Sequence, residues 1–165
     1  MSEPAISTIG GLMLWVGWLF FNSASGYEIV DITMDAIPTR IATNTIAAGS
    51  TAGLFYSIVS FTSFSYTNRI RVQPADKIMN AILSGLVAIT ASCNNVSLLG
   101  AMAIGTIGNV VYIISGKLMY RWRIDDPIEA SQIHGFSGVW GLIAVGIFDL
   151  DYGLLYSGSM NQLQV

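Results

Sequence analysis

Three features of this 165-residue sequence point to an all-α, polytopic membrane protein: a deficit of charge, long uncharged stretches, and basic residues gathered in two connections. Charged residues make up 10% and hydrophobic residues 53%, and the mean hydropathy is +0.60. A soluble domain carries about 25% charged residues, so this chain has too few to cover a water-facing surface. Disorder is excluded, because it needs low hydrophobicity and high net charge. The one cysteine, Cys93, rules out a disulfide framework and argues against a cysteine-built metal site. A net charge of −3 argues against nucleic acid as a partner.

The uncharged stretches set the number of crossings. They run between Glu3 and Glu28, Arg40 and Arg69, Lys77 and Lys117, and Glu129 and Asp149. A helix needs about 20 apolar residues to cross a bilayer about 30 Å thick. The third stretch, residues 78–116, would make a helix about 58 Å long at about 1.5 Å per residue, close to two bilayer thicknesses. It is expected to hold two crossings, turning at Ser92-Cys93-Asn94-Asn95-Val96-Ser97. Five spans follow, near residues 5–24, 43–66, 75–93, 98–119 and 128–148, with a tail over 149–165. The first is too long to read as a cleaved signal peptide. It has no basic leader, and Trp15, Trp18, Phe20 and Phe21 do not make a small-residue cleavage site.

Six of the seven basic residues fall on one side of this arrangement. Arg69, Arg71 and Lys77 follow the second span, and Lys117, Arg121 and Arg123 follow the fourth. The positive-inside rule makes that side cytoplasmic, with the N-terminus inside and the C-terminus outside. Tyr120 and Trp122 are expected at the inner interface. Arg40 is the exception, in an expected outer loop with Glu28, Asp31 and Asp35.

Within the spans, small residues recur. Gly49 and Gly53 form a G-x-x-x-G pair, and Gly135, Gly138 and Gly141 crowd the fifth span. Such residues let helix backbones approach closely in lipid, and tight packing is the simplest account of them. At the start of the fifth span, Asp126 reads as an N-cap, Pro127 as the first helical residue and Glu129 as the partner in a capping box, so this acidic group (with Asp125) needs no catalytic explanation. His134, the only histidine, is expected about 10 Å along that helix, inside the hydrocarbon layer. An ionisable residue there marks a functional site by default, the other reading being a hydrogen bond to a neighbouring helix. Ala130, Gly138 and Gly141 leave room on its face for a small ligand or a close backbone. Asn22, Thr45, Ser50, Thr51, Ser84, Thr90 and Asn109 are the other polar residues within spans; such interhelical bonds are worth about 0.6 kcal/mol on average, and none marks a site by itself.

Longer motifs are more specific. The fifth segment reads Asp125-Asp126-Pro127, then His134-Gly135-Phe136-Ser137-Gly138-Val139-Trp140-Gly141. The first reads Leu14-Trp15-Val16-Gly17-Trp18-Leu19-Phe20-Phe21-Asn22-Ser23-Ala24-Ser25. Between them come Thr43-Asn44-Thr45 with Ala47-Ala48, and Gly85-Leu86-Val87-Ala88-Ile89-Thr90-Ala91 with Cys93; Gly153-Leu154-Leu155-Tyr156-Ser157-Gly158 follows. Taken in this order, the five resemble the second half of the ammonium transporter family (the Amt/Mep/Rh group), with Ser92 in place of a family glycine. The resemblance covers nearly the whole chain, 1–165. It implies five helices equivalent to the second inverted repeat of an eleven-helix transporter.

The resemblance implies site residues one by one. Phe21 matches one of two stacked phenylalanines that gate the outer vestibule, and Ser25 a serine that helps receive ammonium there. His134 matches the second of two pore histidines, and Thr90 a threonine near the conduction path. It assigns Glu129 no role. The first histidine, the other gate phenylalanine, the vestibule tryptophan and the aspartate of the fifth family helix have no counterpart. The implied function is transmembrane ammonium or ammonia transport as the C-terminal half of a pore, needing an N-terminal half. A homotrimer in a lipid bilayer is implied, and a plasma-membrane location is expected. The alternative is a truncated, non-transporting relative that associates with a full-length transporter or is inactive. No cofactor or metal is expected. Nor is an enzyme, since there is no second histidine, no G-x-S-x-G and no metal-ligand cluster.

The chemistry suits the implied substrate. Ammonium can shed a proton, whereas a potassium ion of similar size cannot. A narrow apolar passage penalises a bare cation far more than neutral ammonia. Aromatic faces and a hydroxyl attract the cation outside, and an imidazole inside both donates and accepts hydrogen bonds.

Overall fold

The computed structural model describes residues 4–26, 36–67 and 75–156, and among these it is all helical. The helices are α1 (Pro4–Ser25), α2 (Ala36–Thr67), α3 (Ala75–Thr90), α4 (Leu98–Arg121) and α5 (Ser137–Phe148), the last continuing a π-helical segment, Ser131–Phe136. Three stretches, Ala5–Ser25, Leu98–Arg121 and Ser131–Phe148, are long and apolar enough to cross a membrane. Glu28, Asp31, Asp35, Arg69, Arg71 and the tail beyond Tyr156 lie outside the described residues.

α3 is the hub. It packs against α1, α2, α4 and α5. Its buried residues include Met79, Ala81, Leu83, Ser84, Gly85, Leu86, Ala88 and Ile89. Small side chains make this possible. A methyl group added at Gly85 would lie 2.6 Å from the Ala48 carbonyl oxygen and 2.6 Å from Ala52 Cβ. Gly105 on α4 presses on the same Ala48 backbone, so α2, α3 and α4 meet at one alanine. Ala88, further along α3, is a second such meeting point. A Cβ at Gly108 would lie 2.6 Å from Ala88 Cβ, and one at Gly141 would lie 2.6 Å from its carbonyl oxygen. Gly49 and Gly53 likewise receive Leu86 and Ile82 of α3.

Polar side chains tie the ends. Asn44 donates to the carbonyls of Cys93 and Val96, both at 3.0 Å, and so pins the α3–α4 turn to α2. Ser97 caps α4, its hydroxyl accepting from the Gly100 N–H at 3.1 Å. Asn95 donates to Asp149 (3.0 Å) and Asp151 (2.9 Å) beyond α5. Asn22 of α1 donates to Thr45 of α2 at 3.1 Å.

Two helix starts differ from the sequence expectation. α2 begins at Ala36 and not near residue 43, so Arg40 is helical and not in a loop. Its guanidinium donates to the Asn94 carbonyl at 3.3 Å. Pro38 fits there because the first turn of a helix has no N–H acceptor to lose. A gap between charges marks only the apolar part of a helix and misses a polar turn beyond it. The second difference concerns Glu129. Asp126 does cap the segment, its carboxylate accepting from the N–H groups of Ala130 (3.1 Å) and Ser131 (2.8 Å). Pro127 and Ile128, however, form a turn closed by the Glu129 N–H on the Asp126 carbonyl at 3.1 Å. Glu129 has φ 58° and makes no capping box. Helix begins only after it, which brings His134 within one turn of the segment's start.

These contacts predict an asymmetry between glycines. Gly85→Ala should lower the thermal stability of the chain in detergent by about 1–3 kcal/mol, because the new methyl meets backbone. Gly146→Ala, with nothing within 4 Å, should be neutral or slightly stabilising in the same assay.

Candidate functional site

α1, α3 and the π-helical segment bring a row of aromatic and polar side chains together. The Trp18 indole N–H donates to the Thr90 hydroxyl at 2.9 Å, and that hydroxyl donates in turn to the Leu86 carbonyl at 2.8 Å. The tryptophan is thereby held by both its polar atom and its packing, as a Trp N–H in an apolar span requires. Its ring stacks on His134, with centroids 6.1 Å apart and planes 23° from parallel. Phe21, one turn further along α1, lies 6.3 Å from Trp18 at 59°. Next to His134, a Cβ added at Gly135 would meet nothing within 4 Å, and one at Gly138 would make ordinary contact with Val87 Cγ1 at 3.7 Å.

The row lies on an open side of the five-helix unit. Phe21 is 59% exposed, and His134 is exposed rather than enclosed by the bundle. The imidazole therefore has a flat aromatic partner on one side and room on the other.

A second cluster forms where α3, α4 and the approach to the π-helical segment meet. The Glu129 carboxylate accepts from Lys77, from the Tyr112 hydroxyl, and from Asn80 Nδ2 at 2.8 Å. It borders a cavity of about 590 Å³ shared with Tyr56, Gly116, Lys117 and Gln132. Glu129 precedes the apolar stretch Ser131–Phe148. Burial by itself would raise its pKa. The hydrogen bonds from Lys77, Tyr112 and Asn80, with the Lys77 charge, outweigh burial and hold the carboxyl below the usual carboxylate range.

The model of the Ammonium Transporter Family matches this chain over residues 1–165. The chain belongs to the ammonium transporter family. It is 39% identical over 147 residues to a putative ammonium transporter of Synechocystis sp., covering 89% of this chain and 25% of that protein. It is 32% identical to ammonium transporter Amt1 of Archaeoglobus fulgidus, covering 86% of this chain and 33% of that one. Among solved structures it resembles a sensor Amt protein, with a TM-score of 0.78 and 35% identity, covering 98% of this chain and 38% of the other. It also resembles Mep2 of Saccharomyces cerevisiae, with a TM-score of 0.73 and 27% identity, covering 91% of this chain and 32% of the other. The chain thus spans between a quarter and two fifths of the length of these proteins.

Of the four site residues expected from the ammonium transporter resemblance, three converge. Phe21, Thr90 and His134 are linked through Trp18. Ser25 follows Phe21 by one turn, exposed, with its hydroxyl donating to the Phe21 carbonyl at 2.8 Å. Trp18, the residue that joins the row, was not among those expected. The signal for it was present, since an indole N–H inside an apolar span needs an acceptor, and Thr90 offered one. Several other motif residues of this family member act in packing: Asn44 and Thr45 through hydrogen bonds, Gly85 and Gly141 through close backbone contact.

The lowered pKa of Glu129 sets a sign for stability against pH. The carboxylate's contribution is complete above the unfolded-state value of about 4.3 and is lost as pH falls through the lower folded-state value. Wild type should therefore exceed Glu129→Gln in melting temperature by a constant margin from pH 7 to pH 5. The margin should shrink below about pH 4, as thermal unfolding in detergent would report.

Proposed function

We propose that this chain forms one wall of a transmembrane ammonium or ammonia pathway, with His134 as its polar station. The observation that carries the reading is the stack of His134 on Trp18, exposed on an open side of the unit and aligned with Phe21 and Thr90. Membership of the ammonium transporter family supports the substrate. Phe21 and Trp18 offer aromatic faces to a cation, and Ser25 adds a hydroxyl near the same end of α1. The imidazole then accepts a hydrogen bond from ammonia on one nitrogen while donating from the other, so ammonia is passed without a bare charge entering lipid. Whatever proton is shed outside travels separately or stays behind.

One wall does not make a conduit. With His134 and Phe21 exposed, the pathway needs helices from an N-terminal half, on the same polypeptide or on a partner chain, and assembly as a homotrimer in the plasma membrane. The end bearing Lys77, Lys117, Arg121 and Arg123 faces the cytoplasm under the positive-inside rule, which puts Ser25 and Phe21 outside.

The test uses cells devoid of ammonium transporters. Methylammonium uptake should be absent with this chain alone and should appear on co-expression with an N-terminal half from a relative. His134→Ala should then reduce it at least tenfold with membrane abundance unchanged. Uptake by the two halves that is indifferent to His134→Ala would defeat the proposal.

A further inference from the structure

The geometry points to Glu129 as a positioning residue for His134, acting through the turn that starts the π-helical segment. The inference rests on reading His134 as a pathway residue, and it concerns what aims the imidazole.

Glu129 has φ 58°, in the left-handed region that a non-glycine residue adopts only under strain. Such a conformation persists only where its surroundings hold it. Here the hold is a carboxylate with three donors on two other helices, Lys77 and Asn80 on α3 and Tyr112 on α4. The Glu129 side chain is 14% exposed, so most of its surface is covered by those partners. The peptide on either side of Glu129 is fixed as well. Its N–H closes the turn on Asp126, and its carbonyl accepts from Ile133 at 3.0 Å, the residue before the histidine.

The segment that follows is unusual in the same sense. The Ser137 N–H donates to the Gln132 carbonyl, five residues back. The Ser137 hydroxyl reaches the same carbonyl at 3.1 Å. A π-type turn takes in one residue more than an α-turn, so it sets which residues face α1. If Glu129 relaxed to an ordinary helical conformation, the segment would be free to wind as α-helix. That change displaces residues 130–136 by up to one position around the axis and swings His134 away from Trp18. Glu129 thus aims an imidazole that it does not touch.

The test exploits the single histidine. Histidine carbon-labelled at ring Cε1 alone gives one ring cross-peak from the full 165-residue chain in detergent micelles, and Trp18→Leu should displace it, because the stacked indole shields the imidazole. Glu129→Ala should move the peak, and adding Trp18→Leu to that variant should move it little further. Glu129→Gly should move the peak less than Glu129→Ala, since glycine accepts the φ without strain and keeps the turn. Ile104→Val, a core change on α4 away from this turn, should lower the melting temperature and leave the peak in place. Should Glu129→Ala fail to fold, Tyr112→Phe and Asn80→Ala, each removing one donor, should shift the peak in the same direction. A wild-type peak position in Glu129→Ala, or in both single-donor variants, or a larger displacement in Glu129→Gly than in Glu129→Ala, overturns the proposal. The peak reports geometry alone, so its shift is independent of whether His134→Ala affects uptake.

Discussion

Two alanines set the spacing of this molecule. Ala48 and Ala88 are the points where glycines from neighbouring helices bring backbone against backbone, and four of the five helices meet at one or the other. In lipid there is no gain from hiding apolar side chains from an equally apolar solvent, so close van der Waals approach carries much of the association. The consequence reaches the site. Gly141 against the Ala88 carbonyl fixes α5 on α3, and His134 lies seven residues earlier, in the π-helical segment that α5 continues. That places the imidazole beside the stretch of α3 that ends in Thr90, within reach of Trp18 on α1.

The polar residues divide into two kinds. One kind closes the ends of the bundle: Asn44 on the α3–α4 turn, Asn95 on the end of α5, Glu129 between α3 and α4. The Asn44 and Asn95 amide N–H groups and the Glu129 carboxylate are engaged by neighbouring elements. The other kind is left facing outward from the five helices, His134 foremost.

Much of this was legible in the sequence. The all-helical fold followed from charge deficit and spacing. The reversal between α3 and α4 falls at the polar run 92–97, where the Ser97 hydroxyl accepts from the Gly100 N–H and the Asn95 amide donates to the carboxylates of Asp149 and Asp151. Gly49, Gly53 and Gly141 were visible as small-residue patterns and do pack closely, whereas Gly135 of the same pattern has nothing within 4 Å, and the closely packed Gly105 and Gly108 were not singled out. Other features were not legible, for physical reasons. Arg40 extends a helix past its apolar part, which a count of uncharged residues does not register. Glu129 fits the pattern of a capping box, yet its carboxylate has partners 17 to 52 residues away in sequence that outcompete a local N–H. The π-type winding depends on that same long-range hold. Trp18 was one aromatic among several on α1 until Thr90 gave its N–H a partner.

The central claim is that the imidazole of His134 lines a passage with Trp18 at its back. A density map of the chain assembled with its N-terminal half in a lipid disc tests it most directly. The account predicts the ring stacked on Trp18 with a continuous narrow space beside its free edge. A ring turned into the acyl chains, or walled in by side chains with no space beside it, would contradict it.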